Sequence, residues 1–346
     1  MKDLFCRPRT FLIVLGLLLL SFFAIYWFFF SPPSGPLLTK SIIIKKGSSL
    51  KKVSMVLKQE GILRDPNLFM RMATFLGKKK EVKAGEYEFH TRMYPWEVLN
   101  ILTKGRVKPH LVTIAEGFTL SQIAQLLDDL EIVEKQSFLE KASSPALVIS
   151  LGLSYSATGN PGPPLEGYLF PNTYHLFREM NPEEIIQMMV HQFKKVFNHE
   201  WIRRASELGM SQREVVILAS IIEKEASLPE EKPLISAVFH NRLRKKIPLQ
   251  SDPTVIYGIK NFNGNLTRAD LQRPSPFNTY LISGLPPTPI CSPGKDSLLA
   301  ALNPSSVSYL YFVSKNDGSH FFSSNIEEHN RAVWKYQKRG GTKASK

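Results

Sequence analysis

Two glutamates, Glu223 and Glu225, stand near the end of an otherwise apolar run, residues 215–226. Carboxyl groups so placed can do acid–base chemistry, giving a proton to a leaving oxygen and taking one back. At about 100° per residue, Val215, Leu218, Ala219, Ile222 and Ala226 fall on one helical stripe, with Ile221 at its edge. Glu225 lies roughly 50° from the middle of that stripe and Glu223 roughly 110° away. Glu225 is thus the carboxyl pressed towards apolar surface, where it stays protonated to higher pH and suits a general acid. Glu223 is expected to support it. On spacing alone the pair also reads as solvated charge at a helix end, so the rest of the chain has to decide.

The other residues that could take part cluster after residue 248. Gln250, Asp252, Thr254 and Tyr257 lie in one polar, aromatic stretch, and Asn278, Thr279 and Tyr280 in another. So many turn residues over about forty positions are unusual in a compact domain unless the loops build a site. The plainer reading is a set of surface connections. Tyrosines with amide and hydroxyl donors suit a sugar chain, and Tyr168 joins Tyr257, Tyr280, Asn278 and Thr279 as candidates. Glycosidases commonly pair two carboxylates. Asp252 and Glu166 are the candidate partners for Glu225. A transglycosylase needs only one glutamate, acid first and then base towards the substrate's own hydroxyl. No histidine spacing suggests a metal, no glycine-rich phosphate loop occurs, and no Gly-x-Ser-x-Gly elbow is present. No cofactor is expected.

Several elements must hold these residues. Ser211 with Glu214 three residues on forms a capping box at the start of the central helix. A second helix, residues 234–245, follows a short turn, so Glu225 sits near the tip of a helical hairpin. Residues 182–197 form an amphipathic helix. Residues 296–302 are a short helix, 309–314 and 320–322 a hairpin, and 326–337 a closing helix.

The N-terminus sets the location. Residues 11–30 carry no charge, which is long enough to span a bilayer once. Tyr26 and Trp27 stand where interfacial aromatics belong. Ser31, Pro32 and Pro33 make a poor cleavage site, so an uncleaved anchor is expected. Lys2, Arg7 and Arg9 give a mild push towards an N-terminus inside. The remainder then lies outside the cytoplasmic membrane, and Cys6 and Cys291 cannot pair. The net charge of +14 suits lipid headgroups or an acidic polymer, and no basic-aromatic module of the nucleic-acid readers accompanies it.

After a breaker cluster, a strand-helix-helix-strand pattern runs through Ile42, Ile44, Gly47, Ser49, Leu50, Val53 and Leu57 to residues 85–89. It recurs about seventy residues later at Val112, Ile114, Gly117, Thr119, Leu120, Ile123 and Leu127. The second copy is expected to end in a strand at residues 167–170, delayed by a Ser/Gly/Pro-rich insert. The first copy resembles a LysM domain, a βααβ module that binds N-acetylglucosamine-containing glycans.

The segments 165–174, 219–225, 249–258, 278–280 with 284–287, and 309–313 together resemble the YceG-like (MltG) family of endolytic murein transglycosylases. That resemblance implies an α+β, single-pass protein of the inner (cytoplasmic) membrane, with its catalytic part outside. The implied domains are a cytoplasmic start (1–10), a transmembrane helix (11–30), a linker (31–40), a LysM-like domain (41–107), a catalytic domain (108–338) and a tail (339–346). The catalytic domain contains the second LysM-like repeat and the helical hairpin. The implied reaction cuts the MurNAc-β-1,4-GlcNAc bond of nascent peptidoglycan strands, leaves 1,6-anhydro-MurNAc ends and so terminates elongation. Peptidoglycan strands and synthases are the implied partners, and nucleic acid is not. The second Glu of the family's Glu-Lys-Glu carries over to Glu225. Asn172 stands where many relatives have Asp, which weakens a catalytic role there. The rival reading is a non-catalytic, membrane-anchored glycan-binding scaffold of the wall machinery.

Overall fold

The computed structural model describes residues 8–153 and 162–338. The chain divides into two compact units, Met1–His110 with His175–Met180, and Leu111–Tyr174 with Asn181–Lys346. Among the described residues the class is mixed α+β, with helices and three two-stranded ribbons.

The first unit opens with α1 (Pro8–Phe30), then β1 (Thr39–Ile44), α2 (Leu50–Gln59), α3 (Pro66–Phe75), β2 (Gly85–His90) and α4 (Pro95–Lys104). β1 runs antiparallel to β2, with Ile42 opposite Tyr87 and Ile44 opposite Gly85. Alternation sends Ile42 and Ile44 inward, where they join Leu57, Ile62, Phe69, Phe89 and Leu99 in one core. Ser49 caps α2 by accepting from the Lys52 amide, and Asp65 caps α3 ahead of Pro66. Glu86 is the buried charge of this unit. His110 Nε2 lies 2.7 Å and Arg178 Nε 3.3 Å from its carboxylate, with Ser41 donating to it as well. Burial pushes its pKa up, but these partners outweigh that and hold it below the usual value.

α1 is one continuous helix, yet described side chains run unbroken only from Phe11 to Phe23. Among the described residues no helix is long and apolar enough to cross a membrane.

The chain continues, mostly within the second unit, with β3 (His110–Thr113), α5 (Leu120–Asp129), α6 (Lys135–Ala142), α7 (Pro145–Ser150), β4 (Thr173–Leu176), α8 (Pro182–Val196), α9 (His199–Glu207), α10 (Gln212–Glu225), α11 (Lys232–Arg244), α12 (Asp252–Tyr257), α13 (Arg268–Gln272), α14 (Lys295–Leu302), β5 (Tyr311–Ser314), β6 (His320–Ser323) and α15 (Ile326–Val333). β3 and β4 pair, as do β5 and β6. The repeat is visible in the backbone. Gly47 and Gly117 both sit at φ 76°, and Thr119 caps α5 as Ser49 caps α2. Only the insert escapes comparison in part, because residues 154–161 lie outside the described set.

Residues 167–170 are not the expected strand. Leu165, Tyr168, Leu169 and Phe170 are all buried, so the alternation a half-exposed strand needs is missing. The segment turns, with the Tyr168 amide bonded to the Leu165 carbonyl and Gly167 at φ 84°. A side chain at Gly167 would collide with Pro289 and Val216. The strand starts later, at Thr173. Four helices were not expected: α7, α9, α13 and the short α12, whose first turn holds Pro253.

α10 is the axis of this unit. Eight consecutive residues, Val215 to Ile222, are buried, and the helix packs against α11 and α14. Its Ser211 cap is reciprocal: the hydroxyl accepts from the Glu214 amide, and Glu214 Oε2 accepts from the Ser211 amide. Leu218 is fully enclosed. Leu218→Ala should therefore destabilise the protein by about 2–5 kcal/mol, seen as a lower denaturant midpoint. A loss under about 1 kcal/mol would mean that the site collapses onto the cavity and that α10 is not a rigid axis.

Candidate active site

Glu225 is the last residue of α10, and Ala226 leaves the helix in extended backbone. The carboxyl group therefore sits where the helix presents unpaired carbonyls and their partial negative charge, a place that disfavours its ionised form. The surroundings add to this. Burial, partly offset by a hydrogen bond from Ser251 and reinforced by the charge of Asp252, raises the Glu225 pKa from 4.5 to about 7. The residue is still partly exposed, so a ligand can reach it.

The Ser251 hydroxyl donates to Glu225 Oε1 at 2.5 Å. Two bonds fix the Ser251 backbone, and a third fixes the residue before it. The Ser251 amide donates to Thr279 Oγ1 at 3.0 Å, and its carbonyl accepts from Thr254 Oγ1 at 2.7 Å. The Gln250 amide donates to the Thr279 carbonyl at 2.9 Å. Gln250 has φ 53°, a left-handed conformation that costs a non-glycine residue energy and needs support. Arg242 supplies it. Its Nη1 donates to the carbonyls of Pro248 and Leu249 and to Gln250 Oε1, at 3.1, 2.9 and 3.1 Å, and its Nε donates to the Leu310 carbonyl at 2.7 Å. The guanidinium also lies 5.2 Å from the centre of the Tyr311 ring.

Asp252 is exposed and accepts a 2.6 Å hydrogen bond from the Tyr280 hydroxyl. Gln250 is exposed, and Tyr257 and Tyr280 are partly so. These four, with Glu225, are the predicted residues a surface ligand can meet.

The other predicted residues are placed behind that rim. Asn278 and Thr279 are fully buried. The Asn278 amide nitrogen donates to the Leu271 and Arg273 carbonyls, and its oxygen accepts from the Tyr280 amide. It has no donor left for a sugar. Thr254 and Thr279 bond each other at 2.8 Å. Tyr168 is 2 % exposed and packs edge-on against Phe193, so it is a core residue. Burial raises its pKa against the opposing Arg213 charge. The glycan contacts expected of Tyr168, Asn278 and Thr279 are thus replaced by structural ones.

Glu166 and Glu225 share one property and differ in another. Burial also raises the Glu166 pKa to about 7, against hydrogen bonds from the Leu120 amide and the Tyr257 hydroxyl. Both of those bonds are 2.9 Å long. Glu166 is 2 % exposed and touches a concavity of about 850 Å³ whose walls include Tyr257, Pro253 and Lys224, but not Glu225. Glu223 is committed elsewhere. It pairs with Lys232 at 3.3 Å and accepts from the Gly294 amide at 2.9 Å, so it ties α10 to α11 and to the start of α14.

Ser251 and Arg242 were not among the expected site residues. Arg242 left a signal: with Ile235, Val238 and Phe239 it falls on the apolar stripe of α11, where an unpaired cation has no place. Ser251 left none, because its partner is 26 residues away in sequence.

A helix-borne, desolvated carboxyl held by a hydroxyl beside an aromatic, polar rim has the chemistry to give and regain a proton near neutral pH. The YceG-like family model matches residues 42–335, and the chain belongs to that family. It is 32% identical over 307 residues to a Bacillus subtilis (strain 168) protein named endolytic murein transglycosylase, covering 86% of this chain and 85% of the relative. A Streptococcus pneumoniae (strain D39) protein of the same name is 31% identical over 321 residues, and the match covers 84% of this chain but 57% of that longer relative. A crystal structure of a yceG-like protein from Listeria monocytogenes matches with a TM-score of 0.60 at 31% identity, covering 86% of this chain and 99% of that one.

The raised pKa has a consequence for stability. A carboxyl near 7 when folded and near 4.5 when unfolded binds its proton more tightly in the folded state. Its contribution is fully present below about pH 4.5 and is lost as pH rises through about 7. Glu225→Gln keeps the neutral form at every pH. The variant should gain about 1–3 kcal/mol over wild type near pH 8 and nothing near pH 4, by denaturant unfolding at both. Equal stability at both values would place the Glu225 pKa near its unfolded value.

Proposed function

We propose that this protein is a membrane-anchored endolytic lytic transglycosylase of peptidoglycan, with Glu225 as its catalytic acid and base. The observation that carries the reading is the accessible, desolvated Glu225 carboxyl on the Ser251 hydroxyl, in a family whose curated relatives above bear that name. Protonated Glu225 gives its proton to the glycosidic oxygen between MurNAc C1 and GlcNAc C4. The C1–O bond breaks, and GlcNAc leaves with a free 4-hydroxyl. The Glu225 carboxylate then removes the proton from the MurNAc C6 hydroxyl as that oxygen attacks C1. The 1,6-anhydro ring closes, the proton is back on Glu225, and no water is consumed.

One carboxylate suffices for this cycle. A pKa of about 7 suits both halves, since the same group must give and regain a proton near neutral pH. Asp252 is the better-placed second carboxylate, because it is exposed while Glu166 is sealed. Its negative charge would favour the developing oxocarbenium ion, with the Tyr280 hydroxyl orienting it. Tyr257, Tyr280 and Gln250 face the glycan. Thr254, Asn278 and Thr279 hold the loop, and Glu166, Tyr168 and Glu223 hold the scaffold.

α1 acts as the single-pass anchor in the cytoplasmic membrane, with the enzyme outside. Support comes from its uncharged run over residues 11–30 and from its leucines: Leu12, Leu18 and Leu20 are each more than 60 % exposed, as suits a helix solvated by lipid. The first unit is the LysM-like module, and peptidoglycan synthases supply the strands that are cut.

Mass spectrometry of products from purified glycan strands should show 1,6-anhydro-MurNAc ends. Reducing MurNAc ends would make the enzyme a hydrolase. Glu225→Gln should lower kcat by at least about 10²-fold, and the wild-type rate should fall as pH rises above about 7, where Glu225 loses its proton before the first step. A Glu225→Gln variant of undiminished activity would remove the assignment. Strand binding with no turnover in the wild type would favour a scaffold.

A further inference from the structure

We propose that the first unit docks onto the anionic surface of the bilayer through an aromatic, basic face at the end of α3 and the start of α4. The inference rests on the reading of α1 as the anchor and adds a second, peripheral contact to it.

The face is apolar and open. Phe75 is 90 % exposed, Trp96 57 %, Leu76 49 % and Tyr94 39 %. Together they border a groove of about 550 Å³, and Tyr26 and Ser31, from the end of α1 and just beyond it, line the same groove. Tryptophan and tyrosine at the edge of an apolar patch prefer the headgroup layer, where the ring is half in hydrocarbon and the polar atom meets water. Large exposed patches of this kind mark interaction sites rather than ordinary surface.

Charge points to the same occupant. Arg71 lies on α3, and Lys78, Lys79 and Lys80 follow Leu76 after one glycine, Gly77. Over residues 31–110, Lys and Arg outnumber Asp and Glu by 16 to 6, whereas from residue 111 onward the counts are 25 and 23. The excess charge of the chain is thus concentrated in the small unit next to the anchor, where it complements anionic headgroups within a Debye length of the surface. Glu81 and Glu97 are the neighbouring acids, and Glu97 is engaged in capping the Tyr94 amide.

The connection to α1 is short and tied down. Residues 31–38 could reach about 28 Å if fully extended, but they fold back along the unit. Arg92 Nε donates to the Gly35 carbonyl at 2.8 Å, Thr91 Oγ1 to the Pro36 carbonyl at 2.6 Å, and Arg64 Nη2 to Ser34 Oγ at 3.2 Å. The aromatic face is therefore held beside the end of α1 and not on a loose leash. A glycan would need amide or carboxylate partners between the rings. A soluble wall polyanion would use the cations but leave Phe75 and Leu76 in water. Lipid uses both.

The test uses the full chain with Cys6→Ser, reconstituted in phosphatidylglycerol–phosphatidylcholine vesicles, with a nitroxide on Phe75→Cys. Cys291 is fully buried and stays unlabelled. A second preparation carries the nitroxide at exposed Gln136. Electron paramagnetic resonance should show the Phe75 label severalfold less accessible to a nickel chelate than the Gln136 label, and more accessible to oxygen. The triple change Lys78→Glu, Lys79→Glu and Lys80→Glu should restore nickel access while the chain still floats with the vesicles after an alkaline wash. A Phe75 label as accessible to nickel as the Gln136 label, in a chain that floats, would overturn the docking and leave the anchor standing. A chain that no longer floats would overturn the anchor reading itself. Shielding that appears only when a soluble polyanion is added would assign the face to a wall polymer and overturn the lipid proposal.

Discussion

The hydrogen bond from Ser251 to Glu225 is the interaction on which the site depends. Burial and the C-terminal end of α10 push the Glu225 proton to stay. The hydroxyl and the remaining exposure let it leave. If burial acted alone, the carboxyl would rarely ionise and could not act as a base. In water it would ionise near its ordinary value and could not act as an acid at neutral pH. The balance needs Ser251 in one place, and that place is set by atoms far from the substrate. Thr279 and Thr254 hold the Ser251 backbone, while Arg242 braces the left-handed turn at Gln250 against the β5 region. Removing the brace would free a strained residue next to the one serine that matters.

Four carboxylates near this site show how environment divides the work. Glu225 is desolvated but reachable. Glu166 is equally desolvated but sealed, and its two hydrogen bonds staple the start of α5 to the end of α12. Glu223 is spent on Lys232 and a backbone amide. Asp252 stays exposed, with Tyr280 as its partner. Of these four, only Glu225 combines a raised pKa with access.

Much of this was legible in the sequence, and the rest was hidden for physical reasons. Helical period and capping residues located α2, α3, α5, α8, α10 and α11, because those signals are local. The tilt of Glu225 towards the apolar stripe singled out the helix-end carboxyl whose pKa the structure raises. Repetition of Gly47, Ser49 and Leu57 at Gly117, Thr119 and Leu127 marks a strand and helix start that recur, while the second copy adds α7 before its closing strand β4. Residues 165–170 misled because a continuous apolar run fits a strand and a buried turn equally well. Asn278 and Thr279 misled because an amide that meets a glycan and one that satisfies buried carbonyls look alike in sequence. Ser251 was invisible because its role depends on a long-range contact. Charge was legible in total but not in place. Its concentration beside the anchor gained meaning only once the aromatic face of α3 and α4 was seen.

The central claim is that Glu225 sits in the fold as a neutral-range acid. Carboxyl carbon chemical shifts of ¹³C-labelled glutamate, with the Glu225 signal assigned by its loss in Glu225→Gln, measure this directly. The wild-type signal should titrate near 7, and in Ser251→Ala it should move higher, because the hydrogen bond that favours the carboxylate is gone. A wild-type midpoint near 4.5, unmoved by Ser251→Ala, would contradict the account.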